Sequence, residues 1–378
     1  MHNKDLSLGP LREASKAGKF KKIALVILSL IILFFVGKGV LKIARLSPFL
    51  FQLLFNRDIN LKTNDDHINV LLLGIGGKNH QGPNLTDTII FTSLSAKGDK
   101  VTLVSVPRDL WVPDLDAKIN TAYSTGESKR PGGGLVLSKA VVSKIVNQPI
   151  NYVLRIDFDG FVKAVDLIGG LDINVEGAFD DLQYPIDGKE EDPCGHSDED
   201  LKELATSSSQ LEAFPCRYSR VHFNKGQQHL DGKTALQFVR SRHAEGKEGS
   251  DFARSKRQEK VIKAFKDKIF SLATLANPAK VISLYDILKG SIDTDIKDDE
   301  FDDFIRLAGK MKTAQTENAV LDTGDEQAKR PGLLINPPIG EEYNFEWVLI
   351  PRRGNGDFSQ IKKYIDCEIK IGNCPIAE

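Results

Sequence analysis

The chain has 378 residues and sets 51 lysines and arginines against 52 aspartates and glutamates, for a net charge of −1. That length suits one large domain or two ordinary ones. Residues 1–22 hold Lys4, Arg12, Lys16, Lys19, Lys21 and Lys22 against Asp5 and Glu13, a surplus of +4, so the remainder is acidic overall and a nucleic-acid protein with a broad basic face is excluded.

An uncharged apolar run follows from Ile23 to Gly37. At 1.5 Å per residue it covers roughly 22 Å of a ~30 Å hydrocarbon core. Phe20 and Val40-Leu41 extend it, and Lys22 and Lys38 can snorkel to the interfaces. A cleavable signal peptide has an apolar region of about this length, yet no A-x-A-like site follows and Lys38 and Lys42 stand where cleavage would fall. The expectation is a basic cytoplasmic tail over 1–22, an uncleaved transmembrane signal anchor over 23–41 and a juxtamembrane linker over 42–65. An extracytoplasmic domain over 66–372 follows. Its cysteines, Cys194, Cys216, Cys367 and Cys374, fall into two local pairs, and an even count in an exported domain favours disulfides 194–216 and 367–374.

Within that domain, Ile68–Leu73 reads as a buried strand ended by Gly74-Ile-Gly-Gly77. Thr88–Leu94 and Val101–Val106 read as two more strands around a Lys97-Gly-Asp turn. Gly132-Gly-Gly134 opens a helical pattern through Gln148, and Asp157 can cap a helix that stops at Gly169-Gly170, before a strand at Ile173–Val175. Residues 187–217 look inserted: acid-rich, then serine-rich, bracketed by Cys194 and Cys216. Asp231–Val239 resumes a helix, a long helix runs from about Asp251 to Thr274, and the tail offers a strand at Trp347–Ile350 and a helix at Gln360–Ile365. Alternating strands and helices predict an α/β fold, a mixed sheet covered by helices.

Three separated segments place acids and arginines beside strand ends or turns. Asp87 precedes a buried strand, and Arg108-Asp109 follows another. Groups that act in open α/β sheets gather at such ends. The third segment is Phe238-Val-Arg-Ser-Arg-His243 with Asp251-Phe-Ala-Arg-Ser-Lys-Arg-Gln258. Here Ile262, Phe265 and Ile269 continue a helical stripe that turns polar at Gln258, Arg254 and Asp251, as in a helix whose first turns line a cleft. If Arg240 and Arg242 are extended, their two-residue spacing points both guanidiniums one way. Guanidinium forks match phosphate oxygens bidentately, and two carboxylates among four arginines suit a hard divalent cation. The joint pattern suggests a pyrophosphate ligand. Gly74-x-Gly-Gly-Lys78 lacks P-loop spacing and reads as a loop. No Ser/His/Asp or Cys/His nucleophile arrangement is visible.

The chain resembles the LytR-CpsA-Psr family over roughly residues 66–370. The resemblance rests on Asn69-Val-Leu-Leu-Leu-Gly74, Thr86-Asp-Thr-Ile89, Ser105-Val-Pro-Arg-Asp109, Lys118-Ile-Asn-Thr-Ala-Tyr123, Asp157-Phe-Asp-Gly-Phe161, Val165-Asp-Leu-Ile-Gly-Gly170, Leu230-Asp-Gly-Lys-Thr-Ala-Leu236 and the two arginine-rich segments. It implies a membrane-anchored phosphotransferase outside the cytoplasmic membrane. Such an enzyme moves a glycopolymer from a polyprenyl-pyrophosphate carrier onto a peptidoglycan hydroxyl through a phosphodiester bond, with pyrophosphatase action as a side activity. Asp87 and Asp251 would hold Mg²⁺ or Mn²⁺, and Arg108, Arg240, Arg242, Arg254 and Gln258 the pyrophosphate. Asp109 would act as base or orient Arg108. The lipid tail would need an apolar tunnel between sheet and helices.

Two positions depart from the family's pattern: Leu85 where many members have arginine, and Ala253 where glycine is frequent. The alternatives are an envelope scaffold that binds polyprenyl pyrophosphate without catalysis, and a transcriptional attenuator. The latter would need a cytoplasmic DNA-binding element, for which residues 1–22 are too few.

Overall fold

A computed structural model describes residues 58–78, 80, 82–204, 209–269, 283, 291–325 and 329–376. The anchor expected over 23–41 and its flanks lie outside them. Among the described residues, no helix is long and apolar enough to cross a membrane. The compact unit begins at Ile59 rather than Asp66. Leu61 is buried with Val70 and Tyr152, and the Lys62 amide donates to Tyr152 Oη over 2.8 Å, so the end of the expected linker is tied into the domain.

The strands β1 (His67–Ile75), β2 (Thr86–Ser95) and β3 (Lys100–Ser105) form an antiparallel meander, with Leu71 facing Phe91 and Phe91 facing Val104. Helices α1 (Ala122–Lys129) and α2 (Gly133–Val146) then carry the chain across to β4 (Tyr152–Asp157), which pairs parallel with β1. A parallel return needs such a crossover. Next come α3 (Phe158–Leu167), β5 (Leu171–Val175), β6 (Phe179–Pro185), β7 (Tyr218–Phe223), β8 (Gly226–Leu230), α4 (Gly232–Arg240) and α5 (Asp251–Ile269). The chain ends with β9 (Ile292–Thr294), α6 (Phe301–Lys310), β10 (Gln315–Val320) and α7 (Ser359–Lys370). The six-stranded mixed sheet has the order β9-β4-β1-β2-β3-β10.

Alternation along the central strands feeds two layers. Leu71, Leu73, Phe91 and Val153 pack under α2 and α7 with Ile145 and Ile361, while Val70 and Tyr152 face Leu307 of α6 on the other side. A third cluster joins α3, α4 and α5 to the ribbons β5–β8 and β6–β7, where the Phe223 ring sits 5.1 Å from Phe179 and 5.0 Å from Phe238.

The turn signals are spent as the sequence suggests. Asp157 accepts from the Gly160 amide at 2.8 Å to cap α3, and Asp231 accepts from the Thr234 amide at 2.7 Å to cap α4. Gly232 lets α4 ride directly on α3: a Cβ there would lie 2.2 Å from the Val162 carbonyl oxygen. Its amide donates to Asp166 Oδ1 at 2.7 Å.

One expectation changes. The tail strand shifts to Ile350–Pro351, paired with Leu334–Ile335, while Leu349 just before it forms an isolated parallel bridge to Leu110. Within the described residues α5 runs to Ile269, and residues 270–274 of the expected helix lie outside them. Cys194 is joined to Cys216 and Cys367 to Cys374, with Cα separations of 5.6 and 6.1 Å. The first bond closes the segment between β6 and β7.

Candidate active site

The site grows from the ends of β2 and β3. Asp87 is the second residue of β2, and Arg108 lies just beyond β3, where its Nη1 donates to Asp87 Oδ1 at 2.5 Å. Asp109 stands behind: Oδ2 is 3.5 Å from Arg108 Nε, and Oδ1 is 3.6 Å from Lys118 Nζ. The backbone of the Lys118–Tyr123 motif supports this turn, with the Asn120 amide donating to the Arg108 carbonyl at 3.2 Å and the Ile119 amide to the Leu110 carbonyl at 2.7 Å.

Arg240 and Arg242 arrive from the opposite side. They are not extended, because Arg240 is the last residue of α4 and the chain turns at Ser241. Asp181 of β6 fixes that turn. This buried carboxylate accepts from Ser241 Oγ at 2.7 Å and from the Arg242 and His243 amides at 2.9 and 3.3 Å. Arg257, also buried, donates from Nε to the Phe238 carbonyl at 2.9 Å and from Nη2 to the Ser241 carbonyl at 2.7 Å. It satisfies the open C-terminal carbonyls of α4. Thus one arginine of the Arg254-Ser-Lys-Arg257 run is structural.

Helix α5 supplies Arg254 and Gln258, four residues apart and therefore on one face. Ser255 Oγ lies 2.6 Å from Ser105 Oγ, and Gln258 Nε2 donates to Thr88 Oγ1 at 3.4 Å, which pins α5 over the strand ends.

A cavity of about 300 Å³ results, and Asp87, Arg108, Arg240, Arg242, Arg254 and Gln258 all line it. Asp109 does not. The Asp251 side chain lies outside what the structure describes, although its backbone opens α5. Leu85 borders the cavity too, as an apolar patch in its wall.

Its electrostatics are lopsided. Burial, then the neighbouring charges of Arg254 and Arg108, push Arg242 down to about 10, against the partial relief of Asp87 and Asp109. Among the described residues no carboxylate pairs with the Arg242 guanidinium. Burial also works against the charge on Arg108, but the carboxylates of Asp87 and Asp109 outweigh it and raise its pKa. Arg108 is therefore paired with carboxylates at one end of the cavity, while Arg242 is crowded by like charge at the other. A crowded, half-buried guanidinium is stabilised by an anion, and its planar fork suits phosphate oxygens.

His80, Asp181 and Glu190 also line the cavity, and sequence reasoning missed all three. Asp181 and Glu190 sit in acidic stretches that read as ordinary solvated surface. For His80, the available signal was the glycine cluster just before it.

A second hollow of about 490 Å³ lies between α2 and the segments at 112–115 and 355–358, walled by Leu115, Leu137, Val141, Ile145 and Phe358.

The profile of the LytR_cpsA_psr family matches residues 52–328. Among curated proteins, the chain is 28% identical over 249 residues to the polyisoprenyl-teichoic acid–peptidoglycan teichoic acid transferase TagU of Oceanobacillus iheyensis, covering 65% of this chain and 64% of that protein. The chain thus spans less than two thirds of that relative's length. Among solved structures, TagV of Bacillus subtilis shares 23% identity with a TM-score of 0.50, covering 81% of this chain and 98% of that one. The Lin1025 protein of Listeria innocua shares 22% identity with a TM-score of 0.51, covering 82% and 100%. Both share the fold of this chain.

Proposed function

The chain belongs to the LytR_cpsA_psr family, and from that premise we propose that it transfers a glycopolymer from a polyprenyl-pyrophosphate carrier to peptidoglycan. The observation that carries this reading is the convergence of Arg108, Arg240, Arg242 and Arg254 with Asp87 and Gln258 on one cavity. The teichoic acid–peptidoglycan transferase name of its relative fits the same chemistry.

In this reaction an acceptor hydroxyl oxygen attacks the phosphorus that bears the glycopolymer. The bridging P–O bond breaks, and its electron pair leaves with polyprenyl phosphate. Phosphoryl transfer of this kind depends mainly on positioning and on absorbing negative charge. Arg242 and Arg254, already crowding one another, receive the diphosphate, and Gln258 adds an amide donor. Arg108, held by Asp87 and buttressed by Asp109, stands ready as the anhydride breaks. Asp109 is a positioning residue for Arg108.

Mg²⁺ fits the donor set, since the Asp87 carboxylate is a hard oxygen ligand on the cavity wall. Asp87 would hold it together with Asp251 from the first turn of α5, and the ion would supply further charge neutralisation at the phosphates. The apolar hollow beside α2 offers a wall for part of a polyprenyl chain. The basic, then apolar, N-terminal segment is read as the signal anchor that keeps the domain at the outer face of the membrane. The paired cysteines suit such an oxidising compartment.

Mass spectrometry of lipid co-purified with the full-length protein tests the substrate class, with bound polyprenyl pyrophosphate expected. Asp87→Ala and Arg108→Ala are each expected to abolish turnover while the protein stays folded. Full activity in both variants would reject the reading.

A further inference from the structure

One wall of the cavity carries groups that phosphate binding does not employ. His80 Nε2 lies 2.8 Å from Arg240 Nη2 and 2.8 Å from Asp187 Oδ1, while its Nδ1 lies 3.5 Å from Glu190 Oε1. The ring is only 13% exposed. It stands edge-on to Phe158 at 5.4 Å, and the Arg240 guanidinium lies 4.3 Å above the same Phe158 ring. Glu190 Oε1 is buried and accepts no hydrogen bond.

One imidazole nitrogen cannot accept from Arg240 and donate to Asp187 at the same time. A neutral ring with its proton on Nδ1 faces Glu190 and accepts from Arg240 through Nε2. A doubly protonated ring instead donates Nε2–H to Asp187 and keeps Nδ1–H toward Glu190. The two arrangements differ by a single proton on Nε2, and partners for both are in place. A divalent cation is not needed to explain the cluster, because Arg240 already supplies positive charge at both Nε2 and Asp187 Oδ1.

We propose that His80 is the general base of the transfer reaction, with Glu190 and Asp187 as its positioning carboxylates. The proposal rests on the transferase reading. When Arg240 turns from His80 to the incoming diphosphate it frees the Nε2 lone pair; as the acceptor oxygen bonds to phosphorus, its proton passes to that Nε2, and the bridging P–O bond breaks with its electrons on polyprenyl phosphate. The imidazolium then has Asp187 and Glu190 as counter-ions and gives its proton to solvent after product leaves. A histidine oriented by carboxylates is well suited to this task.

Two otherwise unexplained sequence features acquire a purpose. The glycine cluster after β1 folds His80 back into the cavity: a Cβ on Gly76 would lie 2.5 Å from His80 Cβ, and Gly77 has φ +82°. The His80 amide closes the turn on the Gly77 carbonyl at 3.1 Å. The insertion delivers Asp187 and Glu190, and Arg217, next to the bonded Cys216, donates from Nε to the Asp192 carbonyl at 2.8 Å, holding its first turn in place.

The test uses full-length protein in detergent, a farnesyl-pyrophosphoryl disaccharide as donor and a peptidoglycan oligosaccharide as acceptor. Donor binding and transfer rates are measured separately across pH. His80→Gln keeps an acceptor for Arg240 but cannot take the proton. It should bind donor within a factor of about two of wild type and transfer about 10²- to 10⁴-fold more slowly. In His80→Ala, added imidazole should restore part of the rate. Glu190→Gln keeps the shape but removes the carboxylate that orients the ring through Nδ1, so transfer should slow clearly while donor binding stays within a factor of about two of wild type. Wild-type transfer by His80→Gln, a donor-binding loss as large as its rate loss, or wild-type transfer by Glu190→Gln would each overturn the assignment. Wild-type protein that neither binds nor transfers the donor would instead overturn the transferase reading and this inference with it.

Discussion

Replacing Arg242 with glutamine should stabilise the ligand-free protein and weaken its response to pyrophosphate. Burial and the adjacent Arg254 and Arg108 lower Arg242 from the ordinary guanidinium range to about 10. At about 1.4 kcal/mol per pH unit, the charged form is disfavoured in the folded state by about 3 kcal/mol. The guanidinium faces an open cavity, so solvent screening leaves about 1–2 kcal/mol to be recovered. Little offsets the gain, because the backbone hydrogen bond from the Arg242 amide to Asp181 survives the substitution. The sign follows from the lowered folded-state value of a base. The penalty is fully present at neutral pH and is relieved only as pH rises above about 10 toward the ordinary guanidinium value. Thermal unfolding at pH 7 should show Tm higher by about 2–6 °C in Arg242→Gln. Millimolar inorganic pyrophosphate should raise the Tm of wild type by several degrees and that of the variant by clearly less. A variant no more stable than wild type without ligand, yet equally stabilised by pyrophosphate, would refute the crowding argument.

Three further outcomes follow from the supports of the site. Asp181→Ala strands the Ser241 hydroxyl and the Arg242 and His243 amides in a buried turn, and denaturant unfolding should show a loss of about 2–4 kcal/mol. Arg257→Lys cannot reach the Phe238, Ser241 and Glu248 carbonyls together, so a loss of about 2–3 kcal/mol is expected by the same measurement, with donor binding weakened as α4 loosens. Cys194→Ser with Cys216→Ser opens a link between residues 22 apart, which by loop closure should lower stability by about 2–4 kcal/mol in the same assay.

The sheet was legible because its central strands are buried on both sides. Ile68–Leu73 has no polar alternation to confuse with a helix, and the Lys97-Gly-Asp turn marks where the meander reverses. The helix caps at Asp157 and Asp231 were legible for the same local reason. The phosphate-facing side chains were legible through residue type, since Arg240, Arg242, Arg254 and Gln258 interrupt positions that would otherwise be apolar. Their backbone was not: nothing in Arg240-Ser-Arg242 distinguishes two extended residues from a helix end followed by a turn. What decides it is Asp181, some sixty residues earlier in β6. The Trp347–Ile350 strand failed differently. Its apolar run is genuine and buried, but its pairing is split: Leu349 bridges Leu110 in parallel while Ile350 pairs with Ile335, so no single partner strand extends it.

The opposite displacements of Arg108 and Arg242 within one cavity show how the fold divides its positive charge. Arg108 has Asp87 and Asp109 at hand, so an arriving anion gains least by approaching it first. Arg242 and Arg254 meet across the gap between α4 and α5 and repel one another, so there an anion removes a penalty already present in the folded chain. Asp181 and Arg257 lock the turn that carries Arg242, so the backbone cannot swing away to relieve that penalty. The site is thereby preorganised, its charges assembled before ligand arrives instead of being gathered on binding. A diphosphate can span both ends, relieving Arg242 and Arg254 with one phosphate while the other lies toward Arg108. A monophosphate can satisfy only one. Pyrophosphate should therefore outcompete phosphate by more than charge alone gives, and titrating both against Tm in wild type and Arg108→Gln separates the two contributions. The preference should collapse in Arg108→Gln, and equal preference in both proteins would show that the two ends of the cavity do not act on one ligand.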